Sequence, residues 1–241
     1  CIRDSFSIFP SEYLSKELIG FDAGCGSGRW AKFVAPNVKQ LTCIDPSTKA
    51  FEISKYNLRN FNNCIFECCS INDSKIRNNT QDFGYSLGVL HHTPDTKKAL
   101  KSCVDKLKPG SPFLLYLYYS LDNKNFLFKL IWIVSNIGRL IISKLPFFLK
   151  LPITTLIATL IYYPLARFSL ILDKLGFDVS SVPLSYYRKK PFYFMLTDSL
   201  DRFGTKLEKR FSKKEIYILM EQCGLESIEF RNKTPFWVSV G

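Results

Sequence analysis

Histidine is nearly absent from this chain: two residues in 241, adjacent at 91 and 92. Cys64, Cys68 and Cys69 have no second Cys/His pair at ligand spacing, so a zinc site is not expected and no metal is assigned. Acidic residues are missing altogether between Asn123 and Leu172, where six basic residues stand (Lys124, Lys129, Arg139, Lys144, Lys150 and Arg167). The longest uncharged apolar run, Leu151 to Ala166, has 16 residues and is interrupted by Pro152 and Pro164. A span needs roughly 20 apolar residues, so a simple transmembrane helix is not expected. Glycine and proline, at 12 each, are too few for a collagen-like or linker chain. No internal repeat, low-complexity tract or signal peptide is recognised. Because the chain opens at Cys1 and stops in a strand-like segment, the missing leader carries little weight.

What is present suits a packed domain. Hydrophobic residues make up 46% and aromatics 15%, with 21 Phe and 12 Tyr. That is too apolar for a disordered tail, and the length fits one domain with an elaboration. The eight cysteines do not read as a disulfide framework. Cys25 sits between glycines, Cys43 lies in an apolar run, and Cys68 and Cys69 are adjacent. Reduced, mostly buried thiols in a cytoplasmic setting are expected. The formal net charge of +12 fits a solvated basic surface, nucleic acid, an anionic membrane surface or an acidic substrate.

Two kinds of sequence alternate along the chain. Residues 18–119 pass from short apolar runs to helix-like stretches and back. Leu18 to Phe21, Gln40 to Ile44, Cys64 to Cys69, Phe83 to Gly88 and Phe113 to Tyr119 read as strands. Arg29 to Val34, Ser47 to Phe61 and Thr96 to Leu107 read as helices, with Ser47 as an N-cap. This rhythm predicts a parallel α/β sheet. Near the C-terminus, Ser212 and Glu215 form a capping box, Gly224 closes a helix, and Glu226 to Phe230 and Phe236 to Val240 predict an antiparallel strand pair. The domain is expected to comprise residues 1–119 and 199–241, with an apolar, basic helical insertion at 120–198 between them.

Asp22-Ala23-Gly24-Cys25-Gly26-Ser27-Gly28 follows the first strand and opens a helix. Glycines there let the backbone turn sharply and a ligand approach the main chain. A dinucleotide fold seats pyrophosphate at such a turn. Asp22 would repel that group and would suit an ammonium instead. Asp45, ending the second strand, is placed to accept hydrogen bonds from two ribose hydroxyls. Taken together, these residues resemble the class I S-adenosylmethionine-dependent methyltransferases, in particular their type 11-like small-molecule branch. Asp82 to His92 and Leu107-Lys108-Pro109-Gly110-Ser111 resemble further motifs of that family, with Ser111 in place of a second glycine. The resemblance covers about residues 18–119 and, loosely, 205–241. It implies a Rossmann-like, doubly wound, seven-stranded sheet with an antiparallel last strand, and S-adenosyl-L-methionine as cofactor. It places Asp22, Gly24, Cys25, Gly26, Gly28, Asp45, Ser70, Ile71, Leu87 and Gly88 at the cofactor. Ser70 stands where the family usually carries an adenine-binding acid, with Asn72 or Asp73 as substitutes.

His91 and His92, after the fourth strand, are the candidate general bases, since imidazole titrates near neutrality. The alternative is that they shape the turn. Tyr116, Tyr118 and Tyr119 line an acceptor pocket or are sheet packing. Trp30 is expected to pack under the glycine turn. Tyr186-Tyr187-Arg188-Lys189-Lys190 is an anion-gripping cluster or a solvated loop. In Phe126 to Ser143, Lys129, Asn136, Arg139 and Ser143 share one helix side, and Leu130, Ile133, Ile137 and Ile141 the other. The insertion is therefore either a cap packing its apolar face on its own domain or an interface-lying membrane contact. The expected acceptor is small, apolar or lipid-linked. A nucleic-acid methyltransferase and a non-catalytic binding module remain the alternatives. Nucleic acid is disfavoured because the basic residues lie in an apolar stretch rather than a polar groove with stacking aromatics.

Overall fold

The computed structural model describes residues 6–120, 126–179, 182–231 and 238–241. The chain divides into two compact units, one made of Cys1–Ser120 with Lys209–Gly241, the other of Leu121–Glu208. The second unit runs past the expected boundary at Asp198, because the helix that crosses that position packs within it.

The first unit is a seven-stranded sheet. Its strands are β1 (Ile19–Ala23), β2 (Gln40–Ile44), β3 (Cys64–Glu67), β4 (Phe83–Leu87), β5 (Phe113–Tyr116), β6 (Glu229–Phe230) and β7 (Val238–Val240), in the order β3-β2-β1-β4-β5-β7-β6. The first five strands are parallel, and β7 inserts antiparallel between β5 and β6. The expected doubly wound sheet with an antiparallel last strand is therefore present. Loop 232–237 of the expected hairpin, including Phe236, lies outside the described residues.

Burial on both faces explains why these strands read as continuous apolar runs. Along β1, Phe21 and Ala23 join a layer with Ile44, Leu100, Phe113, Leu115, Ile216 and Met220. Val34, Leu41, Cys43, Leu58, Phe83 and Tyr85 fill the opposite layer. Asp22, lying between Phe21 and Ala23, must point into that second layer.

The helices begin where local chemistry satisfies their first amides. Helix α1 (Ala31–Val34) is a single turn after the glycine bend. Helix α2 (Thr48–Asn57) starts at Ser47, whose Oγ accepts from the Ala50 amide at 3.4 Å. Helix α3 (Thr96–Val104) is capped by Asp95, which accepts from the Lys98 amide at 2.9 Å. In the second unit are α4 (Phe126–Ile142), α5 (Phe147–Lys174) and α6 (Phe192–Gly204). The last helix of the first unit is α7 (Lys213–Cys223), which carries the full Ser212/Glu215 box and ends on Gly224 at φ 97°.

Helix α5 differs from expectation. The prolines at 152 and 164 interrupt the apolar sequence, yet the helix runs 28 residues through both. A π-helical turn at Ala158–Tyr162 includes Leu160, the residue whose carbonyl a proline at 164 would otherwise crowd. By length and composition alone α5 is sufficient to cross a membrane.

The Ser212→Ala variant is expected to lose about 1 kcal/mol of stability. In a chain of this size that lowers the melting temperature by roughly 2–4 °C. Thermal unfolding followed by circular dichroism measures it.

Candidate functional site

Strand β1 delivers its chain to the glycine bend at the carboxyl edge of the sheet. The amides of Gly24 and Cys25 both donate to the Ile44 carbonyl, at 2.8 and 2.9 Å, which fastens the bend to the end of β2. Gly24 has φ +88°, and a Cβ there would meet Val89 Cγ1 at 2.4 Å. Any side chain is therefore excluded by backbone and by packing together. Gly26 differs: its φ is +54° but a Cβ would meet nothing within 4 Å. The top of the bend is open backbone, as a ligand cradle requires. Gly28 turns the chain into α1 over Leu58, and Gly88 donates its amide to the Tyr116 carbonyl at 3.0 Å.

Asp45 braces this bend. Its Oδ2 accepts from the Gly26 amide and its Oδ1 from the Ser47 amide, both at 2.8 Å. A carboxylate offers about four lone-pair sites, so two remain for a ligand.

Asp22 is 1% exposed and lies under the bend, not in an open cleft. Neither carboxylate oxygen has a hydrogen-bond partner among the described residues. Burial, the largest influence, pushes its pKa from 3.8 up to about 8; the neighbouring Tyr85 hydroxyl pulls down and Asp45 pushes up. The Tyr85 oxygen is close enough to act on the carboxyl but does not meet hydrogen-bond geometry with it, and is itself unpartnered. A buried acid left without a partner is costly and calls for a counter-charge. Tyr85 carries no local sequence signal for this place, because sheet register alone sets it opposite Asp22.

Cys25, Cys43 and Cys64 gather beside this acid. The Cys43 thiol is held well above its ordinary range, first by hydrogen bonding with Cys25, then with Cys64, then by burial. The seven described cysteines are free, in line with the reading of unpaired thiols. Trp30 packs against the layer containing Phe6 and Val34.

After β3, the Ser70 hydroxyl donates to Asp73 Oδ2 at 2.6 Å. Ile71 is buried in the layer that holds Ile44 and Leu90, and Asn72 is tied to Ser102 of α3 at 2.8 Å. These contacts hold the turn onto the core at the edge of the sheet that carries Asp45. Leu87, ending β4, is buried at 6% exposure.

The two histidines are not equivalent. His91 is fully buried, and its pKa is driven down to about 2, by burial first, then by His92 and Arg210. The ring is thus neutral, enclosed and a weak proton acceptor. Its ring is sandwiched, 4.0 Å from His92 and 3.9 Å from Tyr118. His92 is half-buried and keeps a face toward solvent. Arg210 lies over the Tyr118 ring at 5.6 Å and donates to the Tyr119 carbonyl at 3.2 Å. It arrives from a segment far along the chain, so nothing near the histidines in sequence announces it. In the second unit, Arg188 and Lys189 of the basic cluster are ion-paired to Asp173 at 3.3 and 2.9 Å.

Residues 21–115 match the family described as methyltransferase domain. That segment is therefore similar to methyltransferase domains over its five parallel strands. The chain is 27% identical over 116 residues to a ubiquinone biosynthesis O-methyltransferase of Idiomarina loihiensis, covering 47% of this chain and 46% of that protein. It is 27% identical over 106 residues to the protein of the same name from Coxiella burnetii, covering 44% of each. The chain thus spans about half the length of the curated relatives it matches. Among solved structures, the Bacillus subtilis YcgJ protein aligns with a TM-score of 0.48 and 20% identity, covering 56% of this chain and 58% of that one. A Bacillus halodurans protein aligns at 0.49 and 16%, covering 57% and 58%.

Asp22 ties stability to pH. The folded state holds its carboxyl proton up to about pH 8, whereas the unfolded chain releases it near 3.8. The folded state therefore binds more protons across that window, and its stability falls as pH rises from about 4 to about 8. The Asp22→Asn variant is expected to lose this dependence and to melt above the parent at pH 8, as read by melting temperatures across the pH series.

Proposed function

We propose that the chain is an S-adenosylmethionine-dependent methyltransferase acting on a small, apolar or lipid-linked acceptor. The observation that carries it is the buried, partnerless Asp22 carboxylate beneath a glycine bend whose upper face is bare backbone. That pairing fits a cationic, ribose-bearing ligand: Asp22 supplies the charge for an ammonium group and Asp45 the lone pairs for two ribose hydroxyls. Gly24, Cys25, Gly26 and Gly28 let that ligand approach the main chain. Ser70, Ile71, Leu87 and Gly88, from the turns after β3 and β4, complete the cradle.

When bound, the cofactor supplies a methyl group made electrophilic by a cationic sulfur, which leaves as a neutral thioether. The chain's work is then alignment and charge. Asp22 would hold the ammonium group as its carboxylate, its proton going to solvent, and the ion pair would replace an unmatched buried acid. His92 takes a proton from the acceptor's nucleophilic atom, while His91 and Tyr118 hold its ring in place. The relatives' name, an O-methyltransferase of ubiquinone biosynthesis, supports a small molecule with an oxygen nucleophile, a quinone-like phenol being the class to screen first. The apolar second unit supports a lipid-linked form of it, used at an anionic membrane surface from the cytoplasmic side.

Calorimetry tests the reading. The parent is expected to bind S-adenosylmethionine, and Asp45→Ala to weaken binding by about tenfold or more, the worth of one to two hydrogen bonds to a charged group. Affinity is expected to rise with pH until about pH 8, where Asp22 ionises, and to be flat with pH in Asp22→Asn. A parent that ignores the cofactor overturns the assignment and leaves a binding module. Salt-dependent binding to RNA or DNA would move the acceptor to nucleic acid.

His92→Ala is expected to lower kcat by about 10²-fold or more with cofactor affinity unchanged. Single-turnover methyl transfer to a phenolic acceptor reads it. An unchanged kcat would assign His92 to the turn alone.

A further inference from the structure

The exposed apolar side chains of this protein are unevenly shared. Among the described residues, the large ones in the first unit are Ile53, Tyr56, Ile65, Tyr217 and Ile218; all the others belong to the second unit. The helices that carry them are turned inside out. Along α5 the buried row is small or polar: Thr154, Ala158, Tyr162, Ala166 and Ser169. Its outward residues are large and apolar, with Phe148 at 72%, Leu160 at 63% and Ile171 at 57% exposure. In α4 the buried side holds Arg139, whose guanidinium donates to the carbonyls of Thr205 and Lys206 at 3.1 and 3.3 Å. Val134, Ile137 and Ile141 face out.

A helix in water buries its apolar stripe and shows its polar one. Small and hydroxylic residues between helices with large apolar ones outside are what helices adopt against lipid. Charge points the same way. No Asp or Glu occurs from Asn123 to Leu172; of the basic residues there, Arg139, Lys150 and Arg167 reach backbone carbonyls, and Lys144 stands exposed at the α4–α5 corner beside Phe147 and Phe148.

Helix α6 decides between crossing a membrane and lying on it. It runs antiparallel along α5: Lys150 Nζ donates to the Gly204 carbonyl at 3.1 Å, Ser199 Oγ to the Thr154 carbonyl at 2.8 Å, and the rings of Tyr163 and Phe192 meet at 5.7 Å. Its outward residues are Tyr193 and Phe194 near its start and Thr197, Asp198 and Asp201 beyond them. Were α5 to cross a bilayer, both acids would enter hydrocarbon with it.

We propose that the second unit docks on an anionic lipid bilayer with α4 and α5 lying in the plane of the interface. Their outer faces enter the acyl region, Lys144 meets the headgroups, and α6 stays in water. The inference stands on the second unit alone and does not depend on the methyl-transfer reading.

Flotation of the intact chain with phosphatidylcholine vesicles, alone or mixed with phosphatidylglycerol, tests it. The chain is expected to float with the mixed vesicles and much less with the neutral ones. Ile137→Asp and Leu160→Asp are each expected to cut the bound fraction about tenfold, and Ile53→Asp, in the first unit, to leave it unchanged. Circular dichroism shows that each variant folds, and cofactor calorimetry on the same samples separates failure here from failure of the methyl-transfer reading. Phe148→Trp, Leu160→Trp and Ile171→Trp, made singly, are expected to be quenched to the same shallow depth by doxyl-labelled lipids. Deep quenching at 160 with little at 148 and 171 means that α5 crosses, and overturns the proposal. Absence of flotation overturns it too, and so does a soluble dimer in sedimentation that covers these faces and does not bind vesicles.

Discussion

One carboxylate holds the cradle together. Asp45 takes the Gly26 amide on one oxygen and the Ser47 amide on the other. The first bond fixes the top of the glycine bend to the end of β2; the second fixes the residue that caps α2. Two strands, a bend and a helix start are thereby locked around a single charged group. Bonds from backbone amides to a carboxylate are among the stronger neutral–ion contacts a fold can make. Removing that group would leave two amides to be satisfied anew and would release the bend that lies over Asp22.

The first unit was largely legible because its signals are local. Apolar runs gave the strands, and Ser47 and Ser212 gave helix starts that the structure repeats. Leu117 and its neighbours show where this fails. The fifth strand was expected to reach Tyr119, yet the ladder ends at Tyr116, and Tyr119 instead makes a single bridge with Phe211. Pairing that depends on a distant segment leaves no mark on the strand's own pattern. The same holds in the site. The glycine bend and Asp45 are readable, whereas the burial of Asp22, the enclosure of His91 and the arrival of Arg210 come from register and long-range packing.

The second unit was legible in composition and not in orientation. The helical wheel of α4 separates Arg139 from Ile137 and Ile141, but says nothing about which side meets protein. Packing chose the polar side, since Arg139 reaches the carbonyls that end α6 and the buried ion pair of Arg202 with Glu208 lies in the same unit. The proline at 164 in α5 misled for a related reason. Its cost is set by whether a neighbouring turn can widen, and Ala158–Tyr162 does.

That widened turn has a geometric effect beyond making room for a proline ring. In a uniform α-helix each residue advances about 100°, so the 15 steps from Thr154 to Ser169 would overshoot four full circles by roughly 60°. Slower winding through one turn absorbs most of that drift and keeps the buried row on one side of the helix. It acts as a phase corrector: the register of the whole helix pair is tuned by five residues near its midpoint, and a one-residue deletion there would swing the distal half and present a different set of side chains to its surroundings.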